Sequence, residues 1–380
     1  MSQIVILGAG FGGLAAANEL QRLLGDKHKI ILIDKKKKFF VGTSKLWVML
    51  GKRTVESCEK EISLIEKKGI KFINDEVVDI NTEEKKVFTT TNYFKYDYLI
   101  ISPGAELSLE HILGFKENAL NLYDMQGVAK IYEELEKFYR GKIVLLISRL
   151  PFKCPGAPYE AAFLLDDFFK NKGRREQVSI TICTPEPVPL PAAGKHCGNI
   201  MVEMLKSRNI ILRNSAKALS IDEKRKKIVF EDDKEELFDL LIGVPSHTAP
   251  RAVKKFINES GWIPVDKSSL KTSIKSVYAI GDVAGIKLAN GMMLPKAGIF
   301  AEEEAKVVAF NIASEINEQK ETKAFEGKGY CFLETGNNEA AKISGNFFEE
   351  PEPKVDILPV SKENYSEKIR FEKQRLDEWL

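Results

Sequence analysis

The 380-residue sequence predicts an α/β protein built from two doubly wound parallel-sheet units, the second inserted in the first, with a small C-terminal region. Three observations predict it. Residues 3–34 run strand, glycine turn, amphipathic helix, strand; the same alternation restarts at Ile143; and beyond Gly243 the chain returns to patterns that complete the first unit. Residues 1–110 and 245–325 are therefore assigned to the first unit, 111–244 to the second, and 326–380 to the C-terminal region. A chain of this length has enough residues for more than one core.

The elements follow in order. Ile4 to Leu7 is an apolar strand, Leu14, Leu20, Leu23 and Leu24 share one helix face, and Ile30 to Ile33 is the next strand. Thr54 to Lys68 has helical spacing, and residues 70–73, 77–80, 86–90 and 98–101 read as strands. Asp124 is an N-cap for a packing helix reaching Tyr139. The second unit reads as strand Ile143 to Ile147, helix Tyr159 to Phe169, strand Val178 to Cys183, helix Ile200 to Ser207 and strand Ile210 to Leu212. Strands at 216–221, 227–230 and 238–242 close it. Val277 to Ile280 is a strand, Gly298 to Ile316 a long helix, and Pro351 and Pro353 lead to a charged terminal helix.

Composition excludes several classes. Lys plus Arg (57) and Asp plus Glu (55) leave a net charge of +2, so nothing electrostatic favours a nucleic-acid partner. The most apolar stretch, Ile4 to Ala17, is too short and too rich in glycine for a membrane span. No signal peptide is read ahead of the first strand, so the expected location is cytoplasmic or peripheral on a membrane. Five cysteines without a C-x-x-C or a His/Cys cluster imply neither a structural disulfide framework nor a metal.

Gly8-Ala9-Gly10-Phe11-Gly12-Gly13 directly follows a strand and opens a helix, and Asp34 ends the next strand. Gly8 permits the tight turn, Gly10 lets backbone approach a pyrophosphate, and Gly13 allows close packing, while helix N–H groups face the phosphates. Asp34 suits ribose hydroxyls, with Lys35 beside it; the run Lys35 to Lys38 reads mainly as a solvated loop. These features mark a Rossmann-like dinucleotide-binding domain. Ser102-Pro103-Gly104 after one strand, and Gly281-Asp282 after another, resemble the further flavin motifs of FAD oxidoreductases with two dinucleotide domains. That resemblance implies FAD, with Asp282 on the ribityl chain.

The second unit is Rossmann-like but departs from the pattern. Its turn runs Ser148-Arg149-Leu150-Pro151-Phe152-Lys153-Cys154, with no glycine until Gly156. Bulky residues and prolines there remove the N–H donors and the backbone approach that a pyrophosphate needs, which disfavours NADH. Cys154-Pro155-Gly156-Ala157-Pro158-Tyr159-Glu160, with Leu294-Pro295-Lys296-Ala297-Gly298, Phe39 to Lys52 and Gly329-Tyr330-Cys331-Phe332, resembles the sulfide:quinone oxidoreductase and flavocytochrome c sulfide dehydrogenase family over nearly the whole chain.

The resemblance implies that Cys154 and Cys331 form a redox-active pair beside the flavin. It implies oxidation of sulfide to zero-valent sulfur or polysulfide, with electrons passed to a quinone. It places Pro295, Lys296 and Gly298 at the flavin, Lys296 at its pyrimidine edge. Val41 to Lys45 lacks the cysteine that anchors FAD in some relatives, so FAD is expected to be noncovalent.

Pro158 belongs in the first turn of a helix, which puts Cys154 just ahead of an N-terminus that favours a thiolate. Glu160 either shuttles protons or complements the helix dipole. His196, loosely matched to a family histidine, reads more readily as structural, as do Cys58, Cys183 and Cys197. Phe332, Phe347 and Phe348 either flank a quinone or pack a core. Ser361 to Leu380 carries five basic and five acidic residues, implying at most weak peripheral membrane contact. A homo-oligomer is compatible with this reading. Two competing readings are an NADH:quinone or coenzyme A disulfide reductase, and a redox-sensing or subunit-binding flavoprotein without turnover.

Overall fold

The computed structural model describes all 380 residues. Its two main sheets are five-stranded and parallel. The first is ordered Val277–Ala279, Tyr98–Ile101, Gln3–Leu7, Lys29–Asp34 and Lys71–Asn74. The second is ordered Leu120–Asn121, Leu240–Val244, Gly141–Ile147, Val178–Cys183 and Ile210–Arg213. Every strand of the second sheet lies between Ile101 and Val277 in the chain, so it is inserted in the first, as the sequence pattern predicts. The central strands are nearly continuous runs of Ile, Val and Leu because helices and loops cover both faces.

Helix Phe11–Leu24 lies against the long helix Gly298–Ile316, with Gly12, Gly13, Ala15, Ala16 and Ala17 buried. An antiparallel sheet of Lys328–Gly336, Glu339–Asn346 and Lys354–Ser361 packs on helix Ala157–Asn171. The final helix, Lys362–Trp379, crosses that sheet, with the Ser361 hydroxyl accepting from the Asn364 N–H at its start.

Two predicted elements differ. Thr54 to Lys68 is not one helix: a 3₁₀ turn at Glu56–Cys58 leads to a short strand Glu59–Glu61 against Lys38–Phe40, then a 3₁₀ segment Ile62–Lys68. The buried pair Ile62 and Ile65 is spaced three apart, which suits a 3₁₀ repeat as well as an α-helix, and strand pairing decides the rest. The helix expected from Ile200 begins at Lys195, after Gly194 in a left-handed conformation (φ +91°). His196 therefore lies in the first turn of this helix, ahead of the expected start.

The charged terminal helix buries Phe371 and Trp379 against Phe11, at ring distances of 6.0 and 5.3 Å. No helix is long and apolar enough to cross a membrane.

Candidate active site

The glycine turn is built by close approach. A Cβ on Gly13 would lie 1.7 Å from the Gly8 carbonyl oxygen, and one on Gly8 (φ +93°) 2.7 Å from the Pro103 Cα. Gly12 faces the Ser102 hydroxyl in the same way, at 2.5 Å, and Gly298 faces the Phe11 ring at 2.9 Å. Gly10 has nothing within 4 Å, so the backbone there stands open, and it caps a helix whose first turn has no side-chain cap. An uncapped N-terminus beside an open glycine fits a pyrophosphate.

Asp34 is held ready beside it: its carboxylate accepts from the Ala9 N–H at 2.6 Å and the Lys36 N–H at 2.7 Å. The Lys35 ammonium turns away to Glu76 at 3.0 Å. Across the cradle, Asp282 Oδ2 lies 4.0 Å from a Cβ built on Gly104, bringing two distant motifs together.

Gly281, Pro295 and Lys296 line one small cavity with Glu304, a residue that no motif singled out. Glu304 accepts the Gly281 N–H at 2.6 Å, and burial pushes its carboxyl up to about 8. Lys296 is buried over the Trp262 ring, 3.4 Å from its centroid, and donates to the Asp282 carbonyl at 2.5 Å. Burial lowers its ammonium to about 8, which leaves it a cation at neutral pH.

The Cys154 N–H donates to the Lys296 carbonyl at 2.6 Å, tying the cysteine turn to this cavity. Cys154 takes a left-handed conformation (φ +49°), uncommon for a residue with a Cβ. Cys331 pairs in register with Ile343, and a Cβ on Gly156 would lie 3.7 Å from Ile343 Cδ1. The Cys154 turn thus meets the Cys331 strand, and the two thiols are near enough that charge on Cys154 disfavours ionisation of Cys331. Both cysteines are half-buried as residues.

The expected thiolate at Cys154 is corrected by the structure. The Ala157 N–H of the helix start and the ammonium groups of Lys45 and Lys368 do favour it, but burial first and Glu160 second outweigh them, pushing the thiol up to about 11. Burial raises Cys331 further.

Several neighbours escaped sequence reading. Lys45 is buried with no carboxylate partner; it donates to the Tyr123 carbonyl at 3.2 Å, and desolvation lowers it to about 7. Tyr123 in turn donates through its hydroxyl to the Lys153 carbonyl at 2.8 Å, and packs edge-on to His247 at 5.1 Å. His247 is buried and held neutral, its ring nitrogen lowered to about 3 mainly by desolvation.

Glu160 is buried and salt-bridged to Lys368 at 2.5 Å; burial raises its carboxyl. His196, by contrast, is exposed and pairs with Asp356 at 3.3 Å. Cys58, Cys183 and Cys197 are fully buried. Phe332 and Phe347 are core residues, Phe347 packing on Phe300 at 5.2 Å.

The sequence model of the pyridine nucleotide-disulphide oxidoreductase family matches residues 2–145 and 159–299. The chain belongs to this family. The unmatched interval holds the whole turn from Ser148 to Pro158, so Cys154 lies where this oxidoreductase departs from the general pattern. Mouse mitochondrial sulfide:quinone oxidoreductase is 23% identical over 92% of this chain and 79% of its own length. The sulfide-quinone reductase of Aquifex aeolicus is 26% identical over 92% of this chain and 83% of its own length. The X-ray structure of the Aquifex enzyme superposes with a TM-score of 0.89, covering 100% of this chain and 91% of that one at 23% identity. A type II NADH:quinone oxidoreductase of Staphylococcus haemolyticus is 25% identical over 84% of each chain. The chain is thus similar to these two sulfide:quinone oxidoreductases over 79% and 83% of their own length.

Proposed function

We propose that this protein oxidises sulfide to zero-valent sulfur or polysulfide through a Cys154–Cys331 pair and passes the electrons through noncovalent FAD to a quinone. The observation that carries the reading is the meeting of the Cys154 turn and the Cys331 strand beside Lys296, with both cysteines half-buried as residues. The resemblance to sulfide:quinone oxidoreductases supports it.

In the oxidised pair, hydrosulfide attacks one sulfur, forming a persulfide there while the other sulfur leaves as a thiolate with the electron pair of the broken bond. Cys154 is the more acidic thiol and has Lys45, Lys368 and the Ala157 N–H to receive its charge, so it is the better leaving group and Cys331 takes the incoming sulfur. Glu160, raised by burial and influencing both thiols, takes up and returns the proton. FAD, when bound, supplies the two-electron acceptor between sulfur and quinone. Gly8, Gly10, Phe11, Gly12, Gly13, Asp34, Lys35, Ser102, Pro103, Gly104, Gly281, Asp282, Pro295, Lys296 and Gly298 are the residues proposed to hold it.

Anaerobic sulfide titration tests this directly. Wild-type protein is expected to lose flavin absorbance on adding sulfide and regain it with a quinone analogue. Full-rate bleaching in both Cys154→Ser and Cys331→Ser would overturn the pair; prompt bleaching by NADH would favour the NADH:quinone alternative.

A further inference from the structure

Lys368 lies in the terminal helix with no accessible surface. Its ammonium donates to Glu160 Oε1 at 2.5 Å and to Glu334 Oε2 at 2.6 Å. Each carboxylate lies within six residues of one of the two cysteines. Glu160 is in the opening turn of the helix that Cys154 precedes, and Glu334 is three residues beyond Cys331 on one strand. Glu334 also accepts from Trp47 Nε1 at 2.8 Å and from Lys52 Nζ at 3.2 Å, so its position is fixed independently. A buried ammonium is costly to desolvate, and it persists where good geometry and further hydrogen bonds satisfy its partners. This one spans two segments far apart in sequence, and those are the segments on which the two thiols ride.

We propose that Lys368 is a positioning residue: a noncovalent clamp that keeps Cys154 and Cys331 apposed when no bond joins them. The clamp rests on the redox-pair reading and extends it to a third chain segment. Its physical effect is on effective concentration: with both elements tied to one ammonium, either thiol meets the other faster than it meets a thiol from solution.

The test is a redox titration of the full-length, flavin-loaded protein in glutathione buffers, with thiols trapped and counted by mass. When the pair closes, two thiols lose two electrons and two protons to glutathione disulfide, whose S–S bond is cleaved to two glutathione molecules. Lys368→Met is expected to lower the equilibrium constant for the Cys154–Cys331 disulfide at least tenfold and to accumulate mixed disulfides with glutathione, whereas Lys368→Arg keeps most of it. Because Lys368→Met leaves two buried carboxylates uncompensated, Glu160→Gln/Glu334→Leu/Lys368→Met neutralises both with the tie removed, and the same loss is expected. An unchanged constant in a folded, flavin-loaded variant lacking the lysine overturns the clamp alone. A wild-type protein that forms no such disulfide at any glutathione ratio overturns the redox-pair reading and the clamp with it.

Discussion

The two parallel sheets share a five-stranded layout, and the turns that leave their central strands are filled differently. In the first, the turn after Leu7 is glycine, backbone approaches backbone to within what a single Cβ would block, and Asp34 is oriented by the Ala9 N–H. In the second, the turn after Ile147 carries prolines and Cys154, and the acidic residue beyond the neighbouring strand, Glu186, is taken by the Tyr159 hydroxyl at 2.5 Å and the Thr184 hydroxyl at 3.0 Å. Topology supplies a crevice at the strand ends. Side-chain volume and the engagement of the acid decide whether that crevice has room and a free carboxylate for a nucleotide.

The sharpest way to break this contrast is at the cysteines. Cys154→Ser and Cys331→Ser should each cut sulfide-driven flavin reduction by about a thousandfold or more in stopped-flow measurements, because neither half of the exchange survives alone. Gly13→Ala comes next. Its methyl would overlap the Gly8 carbonyl oxygen, so bound flavin, read from the visible-to-protein absorbance ratio, should fall at least tenfold.

The electrostatic predictions are smaller. Lys45→Met removes a cation that lowers the Cys154 thiol, so the pH midpoint of its alkylation by iodoacetamide should rise above about 11. Glu304 keeps its proton when folded up to about pH 8, whereas an unfolded glutamate loses it near about 4.3. That contribution to stability is complete below the unfolded value and is lost as pH rises toward 8. Thermal melts of Glu304→Gln should therefore gain on wild type between roughly pH 5 and 8, with no change in the gap below that window. The mildest change is Gly156→Ala in the second turn: its Cβ meets Ile343 at 3.7 Å, ordinary contact distance, so stability should move by no more than about 0.5 kcal/mol.

Local pattern made the strands and the glycine turn legible. Val178–Cys183 and Gly298–Ile316 match their predicted limits because strand and helix periodicity there agree with burial. That the Cys154 turn packs against the Cys331 strand was legible only through family resemblance, since no periodicity links residues so distant. Lys368, Glu334 and Lys45 were invisible for a different reason. Charged residues in polar segments look like solvated surface until tertiary packing buries them, and Lys368 sits in a helix whose other charges are mostly exposed. The misread segment at 54–68 shows the limit from the other side: an i, i+3 apolar pair does not tell a 3₁₀ turn from an α-helix.

The order in which the sheets close has a consequence for synthesis. All strands of the second sheet have left the ribosome once Val244 emerges, but the first sheet lacks its edge strand until Ala279, and Phe11 gains its aromatic neighbours Phe371 and Trp379 only at the very end. The inserted unit is thus equipped to fold during translation while the N-terminal one waits. Completion of the packing around the glycine turn is then a late event, and a chain stalled before its last helix would leave it unfinished.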